Sequence, residues 1–140
     1  MSFPIPTITD VNRPYWEGLS AGKLHFQCCR ACGNSWLPAR PNCPRCLAAE
    51  PEWREASGRA RVLSWVVYHI AYAEHLKARI PYDVTLVELE EGPRLLTNVV
   101  NSDAGRLLSE GTSVTLAIEI EEGVAIPRFQ LENTEELRNE

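Results

Sequence analysis

The stretch Cys28-Cys29-Arg30-Ala31-Cys32-Gly33, answered after a ten-residue gap by Cys43-Pro44-Arg45-Cys46, decides how this chain is read. It holds all five cysteines of the 140-residue sequence. Two Cys-x-x-Cys pairs at this separation supply four thiolates, the donor set of a closed tetrahedral zinc site. Two residues inside each pair let both sulfurs face one ion, while backbone N–H groups of the turn donate to them. Gly33 suits the positive φ that such a turn needs. The expected ligands are therefore Cys29, Cys32, Cys43 and Cys46, with Cys28 a bystander. The register Cys28-x-x-x-Cys32 is the alternative, and iron, which also accepts four thiolates in a tetrahedron, stays open beside zinc. A redox Cys-x-x-Cys would need one pair near a βαβ pattern, not two facing pairs. Four cysteines leave no open coordination position, so the site reads as a fastener and not as a reaction centre.

Around this clip, residues 24–27 and 35–37 read as short strands of a ribbon, with Pro38, Pro41 and Pro44 stiffening the return. A module this small cannot bury a core, so the metal supplies its folding energy. Upstream, residues 8–23 read as a helical arm. Thr9, Asp10 or Asn12 can cap it, Pro14 suits a first turn, and Gly22 ends it. Tyr15, Trp16 and Leu19 share one face of the arm, which must be covered by the protein's own body or by a partner subunit.

Downstream, residues 47–53 read as a linker. The pattern then turns to β, with strands expected at 59–70, 82–90, 94–101, 112–120 and 124–131, and a short helical piece at 103–109. Five strands with a helix between the third and fourth is the order of an OB-fold barrel. Alternation puts Trp65, Val67, Val84, Leu86, Leu95, Val99, Val114, Leu116 and Ile118 inside it. The expected class is mainly β: a helical arm (1–23), a zinc ribbon (24–50), a five-stranded OB-fold domain (51–131) and an acidic tail (132–140).

The composition, 44% hydrophobic and 24% charged, is that of a globular chain. The N-terminus lacks the basic start and apolar core of a signal peptide, and no apolar run is long enough for a membrane span. A cytoplasmic protein with no membrane partner is expected, whose reducing surroundings would keep the cysteines as thiols. Charge is divided unevenly. Residues 1–61 carry eight Lys/Arg against five Asp/Glu, and residues 62–140 six against fourteen. An acidic barrel is poorly suited to hold a phosphate backbone, so nucleic acid is an unlikely partner, although a zinc-ribbon/OB-fold nucleic-acid module remains the alternative reading.

Further residues carry a resemblance. Tyr15-Trp16-Glu17-Gly18-Leu19, Gly22-Lys23-Leu24 and Gln27 precede Cys29-x-x-Cys32-Gly33 and Cys43-Pro44-x-Cys46. Ser57-Gly58-Arg59-Ala60, the run Val87 to Asn98 and Ile126-Pro127-Arg128-Phe129 follow them. Together these resemble the zinc-ribbon, OB-fold family once catalogued as a domain of unknown function, DUF35, from the arm to Phe129. The resemblance implies N-terminal helices, a rubredoxin-like ribbon and a C-terminal OB barrel. It also implies a role as a small partner of thiolase-like, lipid-transfer-type or hydratase subunits that act on acyl-CoA. The chemistry would belong to the larger subunit, with no catalytic residue here. One structural zinc per chain and a CoA thioester are the implied cofactor and ligand, and self-association as a homo-oligomer stays open. Cys28 departs from the family's usual single cysteine at this point.

From the residues alone, support for a CoA role is confined to the loop 71–81, whose His75, Lys77 and Arg79 could meet phosphates or be ordinary surface charges. His25 and His69 read as strand residues with satisfied partners rather than as acids or bases, and Ser57 and Ser64 show no nucleophile–base–orienter spacing. An iron-bearing electron carrier and a stand-alone hydratase or aldolase are the remaining readings.

Overall fold

The computed structural model describes residues 5–132, which form one helix, ten strands and one 3-10 turn. Helix α1 spans Arg13–Ser20, with Pro14 in its first turn, where a missing N–H costs nothing. Ahead of it Thr9 N donates to Asn12 Oδ1 at 2.7 Å and Asn12 N to Thr9 Oγ1 at 3.3 Å. Gly22, at φ +85°, donates to Leu19 O, and Lys23 N reaches back to Gly18 O at 2.8 Å, a Schellman closure. Leu19 is 1% exposed and belongs, with Leu24, to the same core cluster as the barrel residues. Tyr15 and Trp16 pack against that cluster, so the arm is covered largely by its own body.

The ribbon sheet has the order β2-β1-β3, from β1 (His25–Cys28), β2 (Ser35–Trp36) and β3 (Glu52–Glu55). The stretch 47–53, expected as a linker, runs into β3 instead. That strand pairs with β1 over four residues, from His25↔Glu55 to Cys28↔Glu52.

The barrel sheet has the order β10-β7-β4-β5-β6. Its strands are β4 (Arg59–Tyr68), β5 (Tyr82–Leu89), β6 (Arg94–Thr97), β7 (Ser113–Leu116) and β10 (Phe129–Leu131). A parallel bridge, Val99↔Phe129, closes it: Phe129 N donates to Asn98 O at 3.0 Å and Val100 N to Phe129 O at 2.9 Å. The last two expected strands each break, and their inner halves form a separate hairpin, β8 (Glu119–Glu121) with β9 (Val124–Ile126).

Two expectations are corrected. The piece 103–109 is a set of turns, not a helix, because Asp103, Ala104 and Gly105 take left-handed φ of +54°, +52° and +84°. Gly105 is required there, since a Cβ would lie 2.9 Å from Val67 Cγ2. Second, β5 has the opposite phase from the one alternation suggests. Asp83, Thr85, Val87 and Leu89 are buried, while Val84 and Leu86 lie on the outer, half-covered face. In β4 Trp65 packs on the core as expected, and a bulge between Val62 and Ser64 shifts the phase of the strand ahead of it. Ala60 and Val62 therefore point inward before the bulge. Val99 and Val114 are fully buried as expected, and Leu95, Leu116 and Ile118 pack half-buried against the core. The acidic tail beyond Glu132 lies outside the described residues.

Candidate metal centre and docking face

The four thiols of Cys29, Cys32, Cys43 and Cys46 lie within 4.8 Å of one another. Two turns of near-identical backbone bonding bring them together. In the first, Gly33 N donates to Cys29 O at 3.0 Å and Cys29 N to Asn34 O at 2.7 Å. In the second, Leu47 N donates to Cys43 O at 2.9 Å and Cys43 N to Ala48 O at 3.0 Å. Gly33 and Leu47 both have positive φ, +78° and +68°. Each turn also aims N–H groups at sulfur: Cys32 N at Cys29 Sγ (3.4 Å), Arg45 N and Cys46 N at Cys43 Sγ (3.3 and 3.4 Å).

Across the turns Cys29 Sγ and Cys46 Sγ are 3.5 Å apart, and Cys32 Sγ and Cys43 Sγ 3.7 Å. Zn–S bonds of 2.3 Å in a tetrahedron place sulfurs about 3.8 Å apart, so the donor set fits a structural zinc. The N–H donors favour thiolate. That of Cys32 is the main influence holding the Cys29 thiol below its ordinary value. At Cys43, burial pushes the thiol up, but the N–H groups of Cys46 and Arg45 outweigh it and bring it down to about 6. The Cys28 thiol stands apart, buried, with only the carbonyls of Cys29 and Gly33 at 3.9 and 3.8 Å.

Gln27, which the sequence reading used only as part of a family pattern, ties the ribbon to the cleft beside it. Its Oε1 accepts from Trp36 Nε1 and Arg40 N, both at 2.7 Å, and its Nε2 donates to Arg40 O at 2.9 Å. A polar side chain only 2% exposed is satisfied in this way, and the segment 37–40 is held in place. Leu37, Pro38 and Ala39 then form one wall of a cleft of about 500 Å³. Tyr15 and Trp16 of α1 form another, and Leu86, Leu95 and Leu96 of the barrel the floor. The two aromatic rings meet edge to face at 5.1 Å, and burial pushes the Tyr15 hydroxyl up to about 12.

The cleft opens onto the outer face of β4–β5–β6. The register pairs Val66 with Val84, Tyr68 with Tyr82, and Leu86 with Leu96 on this side. Val66, Tyr68 and Leu96 are exposed, at 55%, 37% and 66%. An apolar outer sheet face with Asp83 and Thr85 turned inward inverts the usual arrangement. Asp83 tolerates burial because its carboxylate accepts from Thr85 Oγ1 at 2.6 Å and Val99 N at 2.8 Å.

The loop 71–81 offers no free cationic site. Lys77 pairs with Glu74 at 2.8 Å and Arg79 with Glu121 at 2.5 Å, while Arg128, buried, bridges Glu119 and Glu121. His75 lies in a 3-10 turn, Glu74–Leu76. His25 lies in β1 as expected, but its Nδ1 is buried without a hydrogen-bond partner among the described residues, and His69 falls just beyond the end of β4 rather than within a strand.

A four-thiol ribbon built onto a closed five-stranded barrel defines the class of zinc-ribbon, OB-fold proteins. Comparison with known proteins narrows the class. Residues 16–52 match the family described as "ChsH2, rubredoxin-like zinc ribbon domain" and residues 53–119 the one described as "ChsH2, C-terminal OB-fold domain". A solved structure titled "Ltp2-ChsH2(DUF35) aldolase" contains a chain that is 33% identical, with a TM-score of 0.79, covering 91% of this chain and 98% of that one. This chain belongs to the DUF35 family.

Among curated relatives, a probable enoyl-CoA hydratase alpha subunit of Thermomonospora curvata is 38% identical over 97 residues, 69% of this chain and 30% of the relative. A DUF35 domain-containing scaffold protein of Methanocaldococcus jannaschii is 35% identical over 74 residues, 52% of each chain. The match thus spans about a third to a half of the length of these relatives.

Proposed function

We propose that this protein is a non-catalytic accessory subunit of an acyl-CoA-processing enzyme, docking on a larger thiolase-like, lipid-transfer-type or hydratase subunit. In this reading Cys29, Cys32, Cys43 and Cys46 hold one structural zinc, which supplies the ribbon's folding energy and leaves no coordination site for substrate. The observation that carries the docking role is the inverted phase of β5, which turns Val84 and Leu86 outward beside Val66, Tyr68 and Leu96. Support for the kind of partner comes from the relatives: one solved relative is part of an aldolase with Ltp2, others are hydratase alpha subunits, and others are called scaffold proteins.

The acyl-CoA would be shared with the larger subunit, and the apolar cleft beside the docking face would meet its acyl portion rather than its phosphates, since the cations of the loop 71–81 are paired. A cytoplasmic setting accords with these relatives; no helix among the described residues is long and apolar enough to cross a membrane. The nucleic-acid alternative draws little support from a barrel whose cations are each paired with a carboxylate. Co-expression with candidate acyl-CoA enzyme subunits of the same genome tests the proposal. A stable complex that turns over an acyl-CoA, which this chain alone does not, is expected. A chain that purifies alone and leaves the activity of those subunits unchanged refutes it.

A further inference from the structure

The two knuckles of the ribbon share their backbone bonding and differ in sequence at one telling position. The residue after the second cysteine has positive φ in both, yet it is Gly33 in one and Leu47 in the other. At Gly33 nothing lies within 4 Å of an added Cβ, so the turn asks only for glycine's freedom. Leucine in the same turn bears the left-handed strain that glycine avoids. Its side chain is 73% exposed, so it covers almost nothing in this chain. Its backbone is nonetheless held at both ends: Leu47 N donates to Cys43 O, and Asn42 Nδ2 donates to Leu47 O at 3.2 Å. An exposed leucine at left-handed φ buries nothing among the described residues that offsets its backbone strain.

The charges beside it point the same way. Among the described residues, Arg40 and Arg45 are the two arginines without an ion pair; the other arginines each have a carboxylate partner within 4.0 Å. Both are exposed, and both lie on the return of the ribbon, Arg45 two residues before Leu47. Among the described residues the other arginines have a carboxylate beside them, and these two keep theirs open.

We propose that the second knuckle, residues 44–48, is a contact tip. It seats Leu47 in an apolar recess of the larger enzyme subunit, with Arg45 opposite a carboxylate on the rim of that recess. The proposal rests on the accessory-subunit reading and adds a second contact to the sheet face. A backbone already fixed in its bound conformation loses little freedom on docking, so only the leucine side chain has to be ordered.

The test uses the full zinc-loaded chain and the acyl-CoA enzyme subunit that co-purifies with it, comparing wild type, Leu47→Gly and Arg45→Glu by titration. Leu47→Gly is expected to keep one zinc, to melt no lower than wild type, and to bind at least tenfold more weakly. Arg45→Glu is expected to bind more weakly and to lose much of the salt dependence of the wild type. Leu47→Asn, which tolerates left-handed φ without an apolar side chain, repeats the first measurement and should also bind weakly. If the variants bind as tightly as wild type, the tip is overturned while the accessory reading stands. A Leu47→Gly chain that melts lower and loses zinc gives Leu47 a folding role and overturns the tip as well. Failure of the wild type to bind any such subunit overturns both readings. Tight, salt-dependent binding of single-stranded DNA that Arg45→Glu abolishes assigns the tip to nucleic acid and overturns the proposal.

Discussion

Substituting the neighbours Val87 and Leu86 of β5 one at a time separates the inner face of the barrel from its outer one. Val87 is 0% exposed and sits among Val62, Val99, Val114 and Phe129 in the core. Val87→Ala removes two buried methyl groups, about 1.6 kcal/mol of transfer energy, and leaves a cavity that raises the cost to roughly 2 kcal/mol. Leu86 is larger but lines an open cleft on the outer face. Leu86→Ala leaves no enclosed void and should cost less than about 1 kcal/mol. At this chain length one kcal/mol moves the melting temperature by roughly 3–4 °C, so Val87→Ala should melt about 7 °C below wild type and Leu86→Ala within about 3 °C of it. Circular dichroism melts of the zinc-loaded chains read the difference. Binding to the larger subunit should rank the two in the opposite order, with Leu86→Ala the weaker binder. A Leu86→Ala chain that is the less stable of the two would falsify the phase on which the docking face depends.

Other consequences follow from particular contacts. Cys29→Ser or Cys43→Ser should lower the zinc content and unfold the ribbon, whereas Cys28→Ser should keep one zinc per chain; metal analysis and tryptophan fluorescence distinguish them, and equal loss from all three contradicts the ligand register. Gly18→Ala places a Cβ 2.3 Å from His25 Nδ1, so the His25 ring must turn aside or α1 must move, at a cost of roughly 1–3 kcal/mol that denaturant unfolding measures. The Glu121 carboxyl is held below its usual range by Arg79 first and then by Arg128. A depressed folded-state value stabilises above the unfolded value of about 4.3 and is lost as pH falls through the folded one. The stability difference between wild type and Glu121→Gln should therefore shrink on acidification below about pH 5; a difference that grows there counts against the Arg79–Glu121–Arg128 cluster.

The ribbon was legible in the sequence because its determinants are local. Cysteine spacing and a glycine after the second cysteine specify a turn that needs nothing from the rest of the chain. The second turn shows how far that reasoning reaches: spacing puts Leu47 in the position that Gly33 holds, but its left-handed φ shows only in the structure. The order of the barrel strands was legible too, but the sides of β5 were not. Alternation identifies which residues share a face and assumes that the apolar face is buried. Here Asp83 is buried through hydrogen bonds from Val99 and Ser102, distant in sequence, and Thr85 through a bond to Asp83 itself, while the apolar Val84 and Leu86 take the outer face. The helix expected at 103–109 failed for a related reason: its composition permits a helix, but the close approach of Gly105 to Val67 requires left-handed turns.

Titration calorimetry of the zinc-loaded chain with the larger acyl-CoA enzyme subunit, repeated with Leu86→Ser and Leu96→Ser together, bears most directly on the docking role. Saturable binding of the wild type at micromolar or lower concentration, weakened at least tenfold by the two outer-face substitutions while zinc content and melting temperature hold, is the expected result. Binding that is equal for wild type and variant would contradict it.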